Sequence, residues 1–307
     1  MKILITYPKS FVSVNLIKIL SKKFELLIDD IDYLNLSKTK KYIKTSKPDL
    51  IILQSPFSGG IKFNIEKPAD LILKNNIIQT NVITAAVQNN IDNLFFIGSS
   101  CMYPKIYQRK LLESDLLTGP LEDTNLGYAT AKICGWQMCK SISKQYKKNY
   151  ITLIPANLYG INDDFDLESA HVIAALISRF HNAKITNSKE VIVWGTGLPL
   201  RDFIFAEEFA AAVEFLIIKL KQNKINVSEI NIGSGNGYSI KQIAETVKKI
   251  VNFKGNLIFD KTKPDGMPVK VLDTNKINQL GWQPKINLET GIKKTYSYYI
   301  SKNYILR

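Results

Sequence analysis

A serine at a predicted strand end and a tyrosine–lysine pair on a predicted helix are the residues best suited to chemistry in this sequence. Ser99 follows a run of apolar residues, and Tyr128 and Lys132 are spaced i, i+4, which puts their side chains on one helix face. A lysine ammonium at that spacing lowers the pKa of the phenol toward neutrality and holds a ribose. The serine hydroxyl hydrogen-bonds the same oxygen that the tyrosine protonates, so the trio would polarise a ketone or an alcohol for hydride transfer.

The tyrosine–lysine spacing by itself is weak evidence, because it often arises by chance. Tyr298 and Lys302 share that spacing near the C-terminus, with no preceding strand and serine. We interpret this second match as chance.

The elements that must position these residues alternate between strand and helix. Short apolar runs predict strands at 3–6, 24–28, 50–53, 94–97 and 151–154, and helical patterns lie between them around 16–20, 38–45, 69–88 and 127–146. Apolar strands separated by helices indicate an α/β fold with a Rossmann-like, doubly wound parallel sheet covered on both faces. Such sheets bind ligands at the carboxyl ends of their strands, where we expect Ser99 and residues 157–160.

The second half of the chain predicts a smaller C-terminal α/β lobe, because its strands and helices alternate less regularly. Helices are predicted at 168–180 and 206–220, a strand at 191–194, and a glycine-rich loop at 233–237. Ser239 is the predicted N-cap of a helix over 240–251. We expect one domain at 1–165 with a returning segment near 202–233, and a second lobe at 166–201 and 234–307.

Length and composition limit the class of protein to which the chain can belong. The chain has 307 residues, of which 45% are hydrophobic, enough for one large domain or two closely packed ones. We expect neither a signal peptide nor a membrane span, because apolar stretches are short and a strand-like run begins at Ile3. The three cysteines, Cys101, Cys134 and Cys139, lack partners at zinc spacing and favour a reduced, cytoplasmic compartment without a structural metal.

The formal net charge of +14 is compatible with nucleic-acid binding. The lysines are scattered over predicted helical faces, however, and form no arginine-rich or aromatic-interleaved stripe. We therefore expect a basic surface that favours small anionic ligands, and no nucleic-acid partner.

Several further motifs occur in one order along nearly the whole chain. They are GSSCMYPK at 98–105, LTG at 117–119, YATAK at 128–132, NLYG at 157–160, SAHVI at 169–173, VWGTG at 193–197 and KPDG at 263–266. With them the sequence resembles the extended short-chain dehydrogenase/reductases and, within that superfamily, the GDP-L-fucose synthase family. Many motifs in a fixed order are far more specific than any one motif.

The resemblance implies that one site combines C3/C5 epimerisation of a GDP-4-keto-6-deoxy sugar with reduction at C4. Cys101 would be the base that removes protons beside the keto group, and His171 the acid that returns them on the opposite face. A thiol suits the first task because a nearby cation brings its pKa within reach of neutral pH, and an imidazole suits the second. Tyr128 would then protonate the C4 oxygen, assisted by Ser99 and Lys132.

The resemblance also implies a nicotinamide cofactor, NADP(H) first, with NAD(H) as an alternative. The residues that match cofactor-binding positions are Ser10, Asp29, Gly98, Ser99, Lys132, Pro155, Asn157, Leu158 and His171. Those that match nucleotide-sugar positions are Arg179, Trp194, Arg201 and Asp265. The first domain would hold the cofactor and the second lobe the nucleotide-sugar, and the helices over 69–88 and 127–146 resemble the pair that forms a homodimer interface.

The sequence departs from the superfamily pattern at its N-terminus. The expected G-x-x-G-x-x-G loop, whose amides approach a pyrophosphate, corresponds to residues 7–13, which contain no glycine. Tyr7, Pro8 and Ser10 add side chains or remove an amide donor there. Asp29 and Asp30 follow the second strand, where a carboxylate suits a free ribose 2′-hydroxyl and repels a 2′-phosphate.

Structural interpretations of the candidate residues also remain open. Cys101, His171 and Trp194 are compatible with core positions, and Arg179 and Arg201 with surface charges, while we take His181 as structural or surface.

Three functions stay open: an epimerase–reductase with altered cofactor contacts, an epimerase-only or reductase-only enzyme on another GDP-4-keto sugar such as a deoxyheptose, and a non-catalytic Rossmann-like protein. Such a protein would bind a nucleotide-sugar or a partner enzyme. The five candidate catalytic residues argue against this last function, and the missing glycines argue for it.

Overall fold

The computed structural model describes residues 1–167 and 169–302. Its strands are β1 (Lys2–Ile5), β2 (Glu25–Leu27), β3 (Leu50–Leu53), β4 (Asn93–Ile97), β5 (Asn149–Pro155), β6 (Asn157–Tyr159), β7 (Glu190–Trp194), β8 (Leu200–Arg201), β9 (Phe203–Phe205), β10 (Glu229–Ile232), β11 (Tyr238–Ser239), β12 (Asn256–Asp260) and β13 (Val269–Lys270). Its helices are α1 (Phe11–Leu20), α2 (Leu36–Ser46), α3 (Ile61–Glu66), α4 (Pro68–Gln88), α5 (Leu126–Tyr146), α6 (Val172–Ile185), α7 (Ala206–Lys221), α8 (Ile240–Val251), α9 (Asn275–Gln279) and α10 (Leu288–Ser301).

A parallel sheet forms the centre of the described part of the chain, in the order β2-β1-β3-β4-β5-β10. The strands are short and apolar, and all four residues of β3 are buried. One group of helices packs α4 between α2 and α5, and a second pairs α1 with α7. The predicted Rossmann-like doubly wound sheet is confirmed.

A second, smaller group of elements builds its own apolar core. In it α6 packs on α8, α10 contacts α8, and β7 pairs with β12 in parallel. The buried residues of this core include Phe180, Val193, Ile243 and Ile292. The described helices include none that is both long and apolar enough to cross a bilayer.

Local sequence explains where several elements begin. Ser239 caps α8 as predicted, since its hydroxyl accepts the Gln242 amide while the Gln242 side chain accepts the Ser239 amide. The helix predicted at 168–180 is wrong at its start: α6 begins at Val172, and Glu168 lies outside the described residues. His171 therefore lies at the N-cap of α6, with extended backbone, instead of within a helix.

Candidate active site

Ser99, Tyr128 and Lys132 meet at the carboxyl end of β4. Ser99 begins a 3-10 turn, and its Oγ accepts the amide of Cys101 at 3.1 Å. The Tyr128 hydroxyl is hydrogen-bonded to Ser99, and Lys132 Nζ lies 5.7 Å from the centroid of the Tyr128 ring. The spacing in the sequence thus places the three side chains as expected.

The Lys132 ammonium is buried and fully engaged in hydrogen bonds. Its side chain is 1% exposed, and Nζ donates to Ser55 Oγ at 2.9 Å, to the Ile97 carbonyl at 2.9 Å and to the Ser55 carbonyl at 3.3 Å. Burial lowers the pKa of Lys132 to about 7, because desolvation penalises the charged form.

Tyr128 differs from the expectation that Lys132 would bring its pKa toward neutrality. Burial raises the pKa of Tyr128 above its ordinary value, the charge of Cys101 raises it further, and the Ser99 hydrogen bond partly opposes them. The physical reason is the burial of Tyr128, which penalises the phenolate and is not offset by the Lys132 ammonium that Ser55 and Ile97 hold. In this state Tyr128 is a protonated phenol, which suits a proton donor.

Cys101 faces a lysine that the sequence analysis missed. Lys270 on β13 places its Nζ 3.7 Å from Cys101 Sγ. A positive charge at that distance attracts a thiolate. Lys270 lies four residues beyond the KPDG motif and has no characteristic spacing to Cys101, so the sequence carried no local signal for it.

His171 is exposed at the start of α6 and belongs to the same electrostatic group. Its pKa is lowered by the protein packed around it and by the Lys270 charge, while Asp164 acts in the opposite direction. The lowered pKa favours the neutral imidazole over the imidazolium. Its exposure is inconsistent with a core histidine.

The other histidine is structural, as expected. His181 Nδ1 lies 3.1 Å from the Tyr296 hydroxyl, and its ring packs against Tyr299. The second tyrosine–lysine pair lies at the end of α10, where the Tyr298 hydroxyl donates to Asn162 Oδ1 at 2.8 Å.

Trp194, Arg201 and Asp265 converge around two neighbouring loops. The Asp265 carboxylate accepts both the amide and the hydroxyl of Thr196 at 2.7 Å, which fixes the turn after Trp194. Arg201 is partly buried and donates to the Met267 and Asp265 carbonyls, so it is not a free surface charge. Trp194 is 45% exposed, with Lys263 Nζ 5.4 Å from the centroid of its ring, so it is not a core residue.

Strand pairing connects this cluster with the catalytic group. Arg201 on β8 is in register with Lys270 on β13, whose ammonium reaches Cys101. Arg179 lies on α6 and donates to the carbonyl of Ile192, two residues before Trp194.

The loop after β1 is held by side chains. Gln54, which follows β3, accepts hydrogen bonds on Oε1 from Ser10 at 2.7 Å and from Ser13 at 2.8 Å. Ser10 also caps α1 by accepting the Ser13 amide. Tyr7 has a left-handed backbone, with φ of 50°, and its ring packs 5.4 Å from that of Tyr33.

Acidic side chains after β2 border this loop. Asp30 pairs with Lys9 at 2.7 Å, and Asp29 accepts the Tyr42 hydroxyl. Gly98 is buried at the end of β4, and Asn157 and Leu158 form β6 beyond Pro155 at the end of β5.

Comparison with known proteins identifies the family. Residues 13–233 match the model of the NAD dependent epimerase/dehydratase family. The chain belongs to this family. It is 45% identical to the putative GDP-L-fucose synthase 2 of Arabidopsis thaliana, over 88% of this chain and 81% of that protein. It is 40% identical to the GDP-L-fucose synthase of Escherichia coli (strain K12), over 90% of this chain and 88% of that protein.

A solved relative has nearly the same fold. The GDP-6-OMe-4-keto-L-xylo-heptose reductase from C. jejuni superposes with a TM-score of 0.92 at 34% identity, over 98% of both chains. The resemblance to GDP-L-fucose synthases is confirmed by these relatives. With it, the expectation of a nucleotide-sugar epimerase/reductase is confirmed.

Proposed function

We propose that this chain epimerises a GDP-4-keto-6-deoxy sugar at C3 and C5 and then reduces its C4 carbonyl with a nicotinamide cofactor. The observation that carries the proposal is the meeting of two groups at one edge of the sheet. Ser99, Tyr128 and Lys132 form the first, and Cys101 with Lys270 forms the second. Because Ser99 and Cys101 share one short turn, both groups act on the same keto sugar.

Epimerisation uses Cys101 as the base. Removing a proton beside a carbonyl moves negative charge onto the C4 oxygen, which Ser99 and Tyr128 stabilise by donating hydrogen bonds. The Lys270 ammonium stabilises the thiolate that starts the step. We assign His171 as the acid that returns a proton from the opposite face.

Reduction uses Tyr128 as the proton donor to the C4 oxygen. When bound, NADPH would supply the hydride for C4. Tyr128 is protonated before this step because its pKa is raised, and Lys132 lies behind the ring to stabilise the phenolate left afterwards. Ser99 donates a hydrogen bond to the C4 oxygen and so holds it in position for protonation.

The GDP part is held by the second lobe. The exposed face of Trp194 suits stacking with a nucleobase, and arginine suits a diphosphate. We assign these tasks to Trp194, Arg179, Arg201 and Asp265, with Arg201 and Asp265 also hydrogen-bonded within the two neighbouring loops. With this assignment we propose two parts of the chain. Residues 1–165 and 202–233 form the cofactor domain, and residues 166–201 and 234–307 form the nucleotide-sugar lobe.

The residues present fit a nicotinamide dinucleotide at its reactive end. We assign Lys132, Tyr128, Asn157 and Leu158 to the ribose and nicotinamide. At the phosphate end Tyr7 has a left-handed backbone, a conformation that glycine adopts readily. We propose NADP(H) as the cofactor, with NAD(H) possible, bound through altered contacts around residues 7–13 and Asp29.

A coupled assay tests the function. Purified protein is incubated with GDP-4-keto-6-deoxymannose and NADPH in deuterated water. We expect oxidation of NADPH together with deuterium at C3 and C5 of the product. Absence of both with this and related GDP-4-keto sugars would contradict the proposal.

A second candidate function is C4 reduction of a GDP-4-keto heptose without epimerisation. The fold similarity to the C. jejuni heptose reductase favours it. The same assay separates the two, because a reductase consumes NADPH without placing deuterium at C3 or C5.

We also propose a homodimer formed through α4 and α5. Leu73 on α4 is 60% exposed, and Ile77, one turn later, is 42% exposed, so an apolar stripe lies on the solvent side of the α4–α5 pair. Light scattering should give twice the chain mass, and Leu73→Glu should yield monomers. A wild-type monomer would contradict this part of the proposal.

A further inference from the structure

Ser55 makes two of the three hydrogen bonds of the Lys132 ammonium. It lies two residues beyond β3 and is 2% exposed. Its hydroxyl accepts from Nζ at 2.9 Å and its carbonyl at 3.3 Å, while the Ile97 carbonyl takes the third N–H. An ammonium has three donors, so these oxygens account for its hydrogen-bonding capacity.

The need for these acceptors follows from burial. A buried ammonium is costly unless hydrogen bonds replace its water, and Lys132 is 1% exposed. The titratable groups on this side of the site are Tyr128 on the same helix, Cys101 on the turn after β4, Lys270 on β13 and His171 at the start of α6. None of them is a carboxylate able to pair with Lys132. Among the described residues, neutral oxygens therefore accept the hydrogen bonds of the buried ammonium.

Ser55 is itself held firmly by its neighbour Gln54. The Gln54 amide donates to Thr6 Oγ1 at 2.8 Å, and the Gln54 carbonyl accepts from the same hydroxyl at 2.8 Å. The Gln54 side chain accepts from Ser10 and Ser13 in the loop after β1. The position of Ser55 is therefore set jointly by the loops that follow β1 and β3.

We propose that Ser55 is a positioning residue for hydride transfer, whose hydroxyl keeps the Lys132 ammonium charged and seated behind Tyr128. This inference rests on the proposed function, because Lys132 matters through Tyr128 in reduction. The longer bond, from Nζ to the Ser55 carbonyl, is the one that a ribose hydroxyl replaces most readily. The Ser55 hydroxyl then retains the ammonium while the ribose binds.

The direct test is the pKa of Lys132 in the full-length protein. The protein is labelled with ¹³C at lysine Cε, and the Lys132 resonance is assigned by its loss in Lys132→Met. Ser55→Ala should lower the measured pKa by about one unit or more, since a hydrogen bond to a charged group is lost in a buried site. Ser55→Thr retains the hydroxyl and should restore the wild-type value.

A matched control is Ser178→Ala, which removes a buried serine hydroxyl from α6 in the second lobe. It should leave the Lys132 titration unchanged. If Ser55→Ala leaves the pKa unchanged, or Ser55→Thr behaves like Ser55→Ala, the inference is overturned.

Steady-state kinetics supply the functional readout. In the pH profile of kcat for reduction, the alkaline limb should move to lower pH in Ser55→Ala. Deuterium exchange at C3 and C5 should be retained. An unchanged limb would contradict the positioning role. Absence of turnover in the wild type would overturn the proposed function instead, while the NMR titration would still decide the role of Ser55.

Discussion

Lys270 Nζ lies 3.7 Å from Cys101 Sγ, although 169 residues separate the two in sequence. The contact joins β13, which pairs with β8, to the turn that follows β4 of the central sheet. The proposed base and its supporting cation thus come from distant parts of the chain, so the proposed proton abstraction depends on how these parts pack together.

Replacing Lys270 with methionine should slow epimerisation. The change removes the charge that stabilises the thiolate and keeps a similar side-chain volume, and we expect at least about a tenfold loss. The measurement is the initial rate of deuterium incorporation at C3 and C5. Lys270→Arg, which keeps the charge, should retain more of the rate, and equal rates in Lys270→Met and wild type would rule out this role.

Replacing Cys101 with serine should remove epimerisation while sparing cofactor binding. A hydroxyl is a far weaker base than a thiolate at neutral pH. Deuterium exchange should fall to background, while calorimetric titration with NADPH stays close to wild type. Undiminished exchange would show that another group is the base.

Replacing Tyr128 with phenylalanine should stop reduction without stopping exchange. The change removes the phenolic proton and leaves the ring beside Lys132, so reduction should fall by about 10²–10⁴-fold. NADPH oxidation and deuterium exchange are measured on the same sample. A wild-type reduction rate would mean that the proton comes from elsewhere.

Replacing Lys132 with methionine should abolish reduction and yet stabilise the protein at low pH. The pKa of Lys132 is lowered from 10.5 to about 7 in the folded protein, so between these values the unfolded chain holds a proton that the folded chain lacks. Wild-type stability therefore rises with pH in that window, and the penalty of the buried charge is complete below it.

The expected gain for Lys132→Met is ~2 kcal/mol at pH 6, smaller than the full shift because hydrogen bonds to Ser55 and Ile97 are lost as well. It should shrink by pH 9. Chemical denaturation at both pH values provides the measurement, with the exposed Lys144→Met on the same helix as control. A variant less stable than wild type at pH 6 would contradict the argument.

Much of the fold was predictable because local patterns determine it. Apolar strands such as β3 are recognised from residue type, and the i, i+4 spacing fixed the relation of Tyr128 to Lys132. The start of α6 was missed because residues 169–171 are compatible with a helix by residue type, whereas Ser169 lies in a turn and His171 has extended backbone. Lys270 and Ser55 were missed because their partners are distant in sequence.

The electrostatic state of the site was the least predictable part. The expectation for Tyr128 assumed an ammonium free to act on the phenol. Burial of the phenol and the charge of Cys101 reverse the direction for the Tyr128 pKa, while three oxygens hold the Lys132 ammonium. Desolvation depends on packing from several elements, which residue spacing does not report.

The last prediction concerns the acidic side chains beside the loop after β1. Asp30 forms an ion pair with Lys9 at 2.7 Å. Its negative charge would repel a 2′-phosphate, and the ion pair also keeps Lys9 from binding that phosphate. Asp30→Asn should therefore tighten NADPH binding about tenfold at low salt and leave NADH binding nearly unchanged, since a repulsion of about 1–4 kcal/mol between charges ~4 Å apart is removed.

The effect should fade as salt screens it. Asp92→Asn is the matched control, because Asp92 is likewise exposed and paired with a lysine, Lys148 at 2.8 Å, but precedes β4 at the opposite end of the sheet. Calorimetric dissociation constants for both cofactors decide the question. In the wild type we expect weak dinucleotide binding and a smaller preference for NADPH over NADH than in relatives with a cationic side chain after β2. Tight wild-type binding of NADPH, unaffected by Asp30→Asn, would show that the 2′-phosphate is held away from Asp30.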